Sequence, residues 1–178
     1  MNVALDTLAA ELDTTDRTLR RAVAQGLLRA ERPSPRKLEI PLTERDFLRR
    51  WWVLLSQLRR ALRTEPTVAF AALFGSGARG EMHAGSDIDL LVALRDGADA
   101  RVLASRLSER LGRPVQLIEL VDAQRAPLLL AEVLREGRVL VDRERLWPRL
   151  RQQRPKVERA ARRERDRVNR EFSKLFAA

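Results

Sequence analysis

Residues 74–92 read FGSGARGEMHAGSDIDLLV, and this stretch decides the fold. The residues leading into it, Val68 to Phe74 (VAFAALF), form a short apolar run with β-branched and aromatic content between Pro66 and Gly75. That pattern predicts a buried strand. Gly75-Ser76-Gly77-Ala78-Arg79-Gly80 follows at once and predicts a turn that opens into a helix. Ten residues after Ser76 comes Ser86-Asp87-Ile88-Asp89-Leu90-Leu91-Val92, which predicts a second strand. Strand side chains alternate, so Asp87 and Asp89 share one face while Ile88 and Leu90 point into the core. Two carboxylates on one face are costly unless a cation neutralises them, and a pair of Mg²⁺ ions, which prefer hard oxygen ligands, would do so. The glycines let the backbone approach an anion closely, and amides at a strand-to-helix turn point at phosphates. A carboxylate pair, a phosphate cradle and Mg²⁺ are the groups that nucleotidyl transfer needs.

The stretch resembles the signature of the minimal nucleotidyltransferases of the DNA polymerase beta-type superfamily. The matching pattern is hydrophobic–Gly–Ser, ten residues, then Asp–hydrophobic–Asp–hydrophobic, with Ala78-Arg79-Gly80 and Ser86 also in place. The resemblance covers about residues 67–142 and implies a small mixed sheet flanked by helices. It further implies that Gly75 and Ser76 bind the triphosphate of ATP or another NTP, with Arg79 and Ser86 beside them, and that Asp87 and Asp89 ligate two catalytic Mg²⁺ ions. Arg79 either holds a phosphate or locks the loop by an ion pair. Members usually carry a third carboxylate on the next strand, often in Val-Asp-Leu-Val. Here that strand is Pro114-Val115-Gln116-Leu117-Ile118-Glu119-Leu120, with Gln116 in the Asp position. Gln cannot accept the nucleophile's proton. Either Glu119 or Asp122 substitutes as the third catalytic carboxylate, or activity is weak, or the site binds nucleotide without turnover. Glu119 faces away from position 116 unless a bulge intervenes. His83 reads as a loop residue. The resemblance implies transfer of NMP, AMP from ATP foremost, to a hydroxyl of a protein or a small molecule; similar small members act as antitoxins that adenylylate a HEPN-type toxin, so a protein hydroxyl is the leading expectation for the acceptor.

Working outward, Asp99 to Leu111 predicts a helix ended by Gly112, Ala126 to Glu136 another stopped by Gly137, and Arg138 to Asp142 a last strand. From Arg143 the chain reads as a long basic helix interrupted near Pro148 and Pro155. Its sparse apolar stripe is Val157, Ala160, Ala161, Val168, Phe172, Leu175 and Phe176. On the N-terminal side, Thr43 to Arg63 predicts an amphipathic helix through Phe47, Trp51, Leu54, Leu55, Leu58 and Leu62, with Trp51 and Trp52 as core or interface residues.

Residues 8–28, LAAELDTTDRTLRRAVAQGLL, resemble the opening of MerR-type regulators. Helix from Val3 to Leu12, break at Asp13-Thr14-Thr15, second helix to Gly26, basic loop, then the strand-like Lys37 to Ile40 is the order of a winged helix-turn-helix. The resemblance implies that the second helix enters the major groove, with Thr15, Arg17, Thr18, Arg20 and Arg21 as its DNA contacts. So small a reader would need a homodimer. The organisation is therefore a winged helix-turn-helix over 1–41, a connecting helix over 42–66, a nucleotidyltransferase unit of α/β (α+β) type over 67–142 and a basic helix over 143–178. A DNA-binding regulator that only senses nucleotide is the alternative to the enzyme.

Composition narrows the rest. The chain has 178 residues, no Cys and one His, which excludes a disulfide framework, a Cys-based zinc site and a thiol nucleophile. No apolar stretch approaches the ~18 residues of a membrane helix, and the N-terminus lacks a signal-peptide pattern, so the expectation is a cytoplasmic protein with no membrane partner. The net charge of +10 is unevenly placed. Residues 1–66 hold 13 basic and 9 acidic side chains, residues 67–148 hold 11 and 12, and residues 149–178 hold 11 and 4. The excess sits at the two ends and points to polyanionic partners there, while the middle is near neutral.

Overall fold

The centre of the molecule is a strand buried along its whole length, β4 (Val68–Leu73). The structure is a computed structural model and describes residues 2–34, 37–83, 85–95 and 97–175. β5 (Ile88–Leu94) and β7 (Arg138–Asp142) flank β4, both antiparallel to it, and β6 (Val115–Glu119) adds parallel to β5, giving the order β6-β5-β4-β7. A parallel pair needs a crossover, here supplied by α5 (Ala100–Leu111), which Asp99 caps by accepting from the Arg101 and Val102 amides and which stops at Gly112. The mixed sheet flanked by helices is the α/β architecture expected.

Both faces of the sheet are covered, which is why β4 reads as a continuous apolar run. On one face Leu73, Ile88, Leu90 and Leu140 join Leu103 and Leu107 of α5 and the long helix α3 (Leu42–Arg63). On the other, Phe70, Phe74, Leu91 and Val139 pack under Leu130, Val133 and Leu134 of α7 (Pro127–Glu136), with Trp147 and Val157 beyond. Phe70 and Trp147 stack with ring centroids 6.2 Å apart. On α3, Phe47, Leu55, Leu58 and Leu62 are buried, and Trp51, Trp52 and Leu54 pack partly buried against the same cluster.

The N-terminal elements are β1 (Asn2–Ala4), α1 (Leu5–Glu11), α2 (Asp16–Ala24), β2 (Glu31–Ser34) and β3 (Lys37–Pro41), with the strands in the antiparallel order β1-β3-β2. The first helix starts two residues later than its apolar spacing suggests, because Asn2 to Ala4 pair with Pro41 to Glu39. The basic segment read as a loop holds an exposed edge strand with Pro33 inside it, as edges allow; its last two residues lie outside the described residues. Leu5, Leu8, Leu19 and Leu27 are continuous with the α3 cluster.

The C-terminal helix divides in two, α8 (Leu146–Gln152) and α9 (Arg154–Leu175). The break falls at Gln153 rather than at a proline. Pro148 and Pro155 each sit in the first turn of a helix, where a missing amide costs little. A short helix that the sequence left unassigned, α6 (Leu120–Ala123), follows β6. In the apolar stripe of α9, Val157 and Ala161 are buried, while Val168 and Phe172 are exposed. Phe176 lies outside the described residues. Among the described residues, no helix is long and apolar enough to cross a membrane.

Candidate active site

The end of β4 and the start of β5 bring the Gly75-Ser76 turn against Asp89. The Phe74 amide donates to the Asp89 carbonyl at 3.0 Å, which fixes the turn to β5. α4 (Gly75–Arg79) begins there and ends at Gly80. Gly75 has φ +64°, in the left-handed region, and a Cβ built on it would lie 2.9 Å from Asp89 Oδ2. Conformation and space therefore both demand glycine. Ile88 and Leu90 are fully buried, and Asp87 and Asp89 take the alternate parity, half-buried. Ser76 is half-buried on the turn.

The pair carries uncompensated charge. Burial pushes the Asp89 carboxyl above the usual aspartate range, the neighbouring Asp87 adds to the rise, and Arg79 partly offsets it. Asp87 Oδ2 accepts from Gln116 Nε2 at 2.6 Å. Gln116 pairs in register with Asp89 across the parallel β5–β6 ladder. The β6 side chain beside the pair is thus an amide that holds Asp87.

Arg79 meets three carboxylates: Glu81 at 2.7 Å, Glu132 at 3.0 Å and Glu136 at 2.6 Å. Its hydrogen bonds to Glu81 and then Glu136 raise the guanidinium above its ordinary value. These ion pairs tie α4 to α7. Burial raises the Glu136 carboxyl, and Glu132 adds to this against the pull of Arg79. Sequence reasoning missed both glutamates, although two acids four apart on a mostly apolar helix were the available signal. Ser86 and His83 close the loop on themselves: His83 N donates to Ser86 Oγ at 2.9 Å and Ser86 N to the His83 carbonyl at 3.1 Å. Arg113 Nη2 donates to the same carbonyl at 2.6 Å. Ser86 shapes the turn that delivers Asp87, and His83 is an exposed loop residue.

Glu119 is not brought to the pair. It is level with Val92, three residues along β6 from Gln116, roughly 10 Å at strand rise. No bulge reverses its parity, and with Asp122 it lines a separate depression beside Asp99 and Arg101. The structure therefore brings neither Glu119 nor Asp122 to Asp87 and Asp89. Thr15, Arg17, Thr18, Arg20 and Arg21 are all exposed on or beside α2, away from the β4–β5 turn. Thr15 Oγ1 caps α2 by accepting from the Thr18 amide at 3.2 Å, and Arg20 pairs with Asp16 at 2.7 Å.

Among the described residues, no three acidic or histidine side chains converge on a metal position. Asp87 and Asp89 remain, two hard oxygen donors with unbalanced negative charge, and this donor set fits a divalent cation. The electrostatics make a prediction. A raised native value means the folded state holds the Asp89 proton more tightly than the unfolded chain. That contribution is present below the ordinary aspartate range and is lost as pH rises through the raised value, leaving a penalty at neutrality. In EDTA, Asp89→Asn is expected to melt at a higher temperature than the wild type near about pH 7, with the gap closing toward about pH 4. Equal melting temperatures at neutral pH would contradict this account of the site.

Comparison with known proteins places this geometry. A chain of a toxin–antitoxin crystal structure with AMP-PNP superposes with a TM-score of 0.55 at 24% identity, over 67% of this chain and 98% of that one. A chain from the toxin–antitoxin MntA–HepT gives 0.51 at 21%, over 68% and 98%. One from the tri-AMPylated Shewanella oneidensis HEPN toxin in complex with MNT antitoxin gives 0.52 at 21%, also over 68% and 98%. At these identities the likeness establishes the shared fold. No curated protein sequence matches the chain. Residues 56–146 match the family described as Polymerase beta, Nucleotidyltransferase, and because that match spans more than half of the 178 residues, the chain belongs to this nucleotidyltransferase family.

Proposed function

We propose that the protein transfers AMP from ATP, with Mg²⁺, to a hydroxyl of a protein partner, in the manner of an antitoxin acting on a HEPN-type toxin. The observation that carries the reading is the half-buried Asp87 and Asp89 pair set against the Gly75-Ser76 turn. The fold-level likeness to chains from toxin–antitoxin complexes, one with AMP-PNP and one with an AMPylated toxin, supports the choice of nucleotide and acceptor. Asp87 and Asp89 would hold the Mg²⁺ ions, which when bound supply charge neutralisation at the phosphates. The turn amides and Ser76 receive the triphosphate where Gly75 lets the backbone approach. Arg79, held by three glutamates, keeps α4 in place, and Gln116 orients Asp87. The acceptor oxygen bonds to the α-phosphorus, the bond to the bridging oxygen breaks, pyrophosphate leaves and the hydroxyl proton passes to water. The test is incubation with ATP labelled on the α-phosphorus, Mg²⁺ and a HEPN-type toxin. Label is expected on the toxin, with loss of more than about 10³-fold in the Asp87→Ala, Asp89→Ala double variant or in EDTA. No transfer by wild type, or equal transfer by the double variant, removes the proposal.

A second reading is a DNA-binding regulator whose nucleotidyltransferase unit binds nucleotide without turnover, with residues 1–41 as a winged helix-turn-helix reader and a homodimer as the binding species. Two observations favour it: the neutral Gln116 beside Asp87, and the uniformly exposed Thr15, Arg17, Thr18, Arg20 and Arg21. It predicts salt-sensitive binding to a specific duplex that weakens in Arg17→Ala, Arg20→Ala. Binding unchanged in that variant would count against it.

A further inference from the structure

Among the described residues two arginines are buried, and one of them meets no acid. Arg138 is met by Glu44 with both side chains 3% exposed. Arg59, on the inner face of α3 and 9% exposed, has no such partner. Its Nη2 donates to Gln25 Oε1 at 2.5 Å, and its Nε has no hydrogen-bond partner among the described residues. Arg63 and Arg21 lie near enough to repel it. Together with burial, the largest cause, they push the guanidinium down to about 10. Among the described residues, no carboxylate lies within ion-pair distance of Arg21, Arg59, Arg60 or Arg63. Arg60 and Arg63 stand in the last turn of α3, where cations complement the helix dipole. That accounts for two exposed side chains and leaves the buried one unexplained.

These groups border a cleft of ≈ 330 Å³ between α2 and α3, lined by Thr18, Trp52, Ser56, Arg59, Arg60 and Arg63. We propose that this cleft is a phosphate-binding site, distinct from the nucleotidyl-transfer site. Its wall is made of guanidinium and hydroxyl donors, with no acid. A phosphoryl group offers several acceptor oxygens and multiple negative charge, and it matches the guanidinium fork. The exposed arginines receive it and the buried Arg59 gains the counter-charge that the protein itself omits. The half-buried Trp52 offers a flat apolar side to whatever carries the phosphate. The cleft cannot be the triphosphate cradle. It opens on the side of α3 that faces α2, and none of its lining residues belongs to the Gly75-Ser76 turn or to the Asp87 and Asp89 pair.

The carrier is either a free phosphorylated small molecule or a nucleic-acid backbone, and the experiment separates them. Melting curves are recorded in EDTA at constant ionic strength with chloride, inorganic phosphate or pyrophosphate, and binding of a labelled duplex is followed in parallel. Wild type is expected to melt about 3 °C or more higher in millimolar phosphate or pyrophosphate than in chloride. The Asp87→Ala, Asp89→Ala variant should keep that rise, and Arg60→Ala, Arg63→Ala should lose it. Arg59→Met, which removes an unpaired buried charge, should melt higher than wild type in chloride and gain nothing from phosphate. A rise with the free anions but no duplex binding assigns the site to a free phosphorylated ligand. Duplex binding that falls in Arg60→Ala, Arg63→Ala assigns it to a nucleic-acid backbone. No phosphate-specific rise together with no such duplex binding overturns the proposal, as does a rise undiminished in Arg60→Ala, Arg63→Ala.

Discussion

Gln116→Asp is expected to raise the rate of nucleotidyl transfer by about 10²-fold or more, within the ~10²–10⁴-fold range of a positioned general base. In the wild type, the side chain level with Asp89 and bonded to Asp87 is an amide. It can donate a hydrogen bond and orient a carboxylate, but it cannot take up the proton that the attacking hydroxyl loses. An aspartate at the same position on β6 is shorter by one methylene and presents a carboxylate to the same face. The variant should acquire an acid limb in its pH–rate profile that the wild type lacks, measured in single turnovers at saturating ATP and Mg²⁺. Gln116→Asn keeps a neutral amide and should gain nothing. The substitution also carries a cost that can be read separately. A third carboxylate beside Asp87 and Asp89 adds repulsion when no cation is present, so the variant should melt lower than wild type in EDTA and recover in Mg²⁺. An unchanged rate with normal melting behaviour would mean that proton removal does not limit transfer here.

The site itself was largely legible in the sequence, because its signals are local. Alternation alone placed Asp87 and Asp89 on one face and Ile88 and Leu90 in the core, and the apolar run of β4 announced a strand buried on both sides. The parity of β6 had already set Glu119 against Gln116; the register showed how far apart they lie. What stayed open needed partners far along the chain. Arg79 had two candidate roles, and its ion-pair partners Glu132 and Glu136 lie more than fifty residues away. The short strands β1 and β2 exist only by pairing with β3, and exposed edge segments carry no alternating pattern to reveal them. Of the two prolines, Pro148 marks no break because the first turn of a helix accepts it, whereas the α8–α9 break at Gln153 falls two residues before Pro155. The unpaired state of Arg59 could not be read either, since an arginine on a basic helix looks the same whether it faces solvent or a cleft.

Glu44→Ala and Arg138→Ala are each expected to destabilise the protein by about 3–5 kcal/mol, because each leaves the other charge buried without a partner. Arg138 grips Glu44 with two hydrogen bonds of 2.5 and 2.8 Å, and its guanidinium lies 3.6 Å from the centroid of the Phe47 ring. Its Nε donates to the Ala78 carbonyl at 2.8 Å and its Nη1 to the Leu27 carbonyl at 3.3 Å. One side chain on β7 thus holds the N-terminal elements, the start of α3 and the turn that follows Gly75-Ser76. Glu44 in turn accepts from the Arg29 amide at 3.1 Å. For a chain of this size the loss corresponds to a melting temperature lower by roughly 6–20 °C. The Glu44→Leu, Arg138→Met double variant should recover most of it, since apolar groups of similar volume often replace a buried pair without loss. Stability and function then separate. In that double variant the Ala78 carbonyl loses its donor while the core is refilled, so α4 loses one of its ties and keeps the Arg79 ion pairs and the Phe74–Asp89 bond. The double variant should therefore melt near the wild type yet show a higher KM for ATP. If it binds ATP as the wild type does, the pair serves folding alone. If single and double variants melt alike, an unpaired buried charge is not the source of the cost.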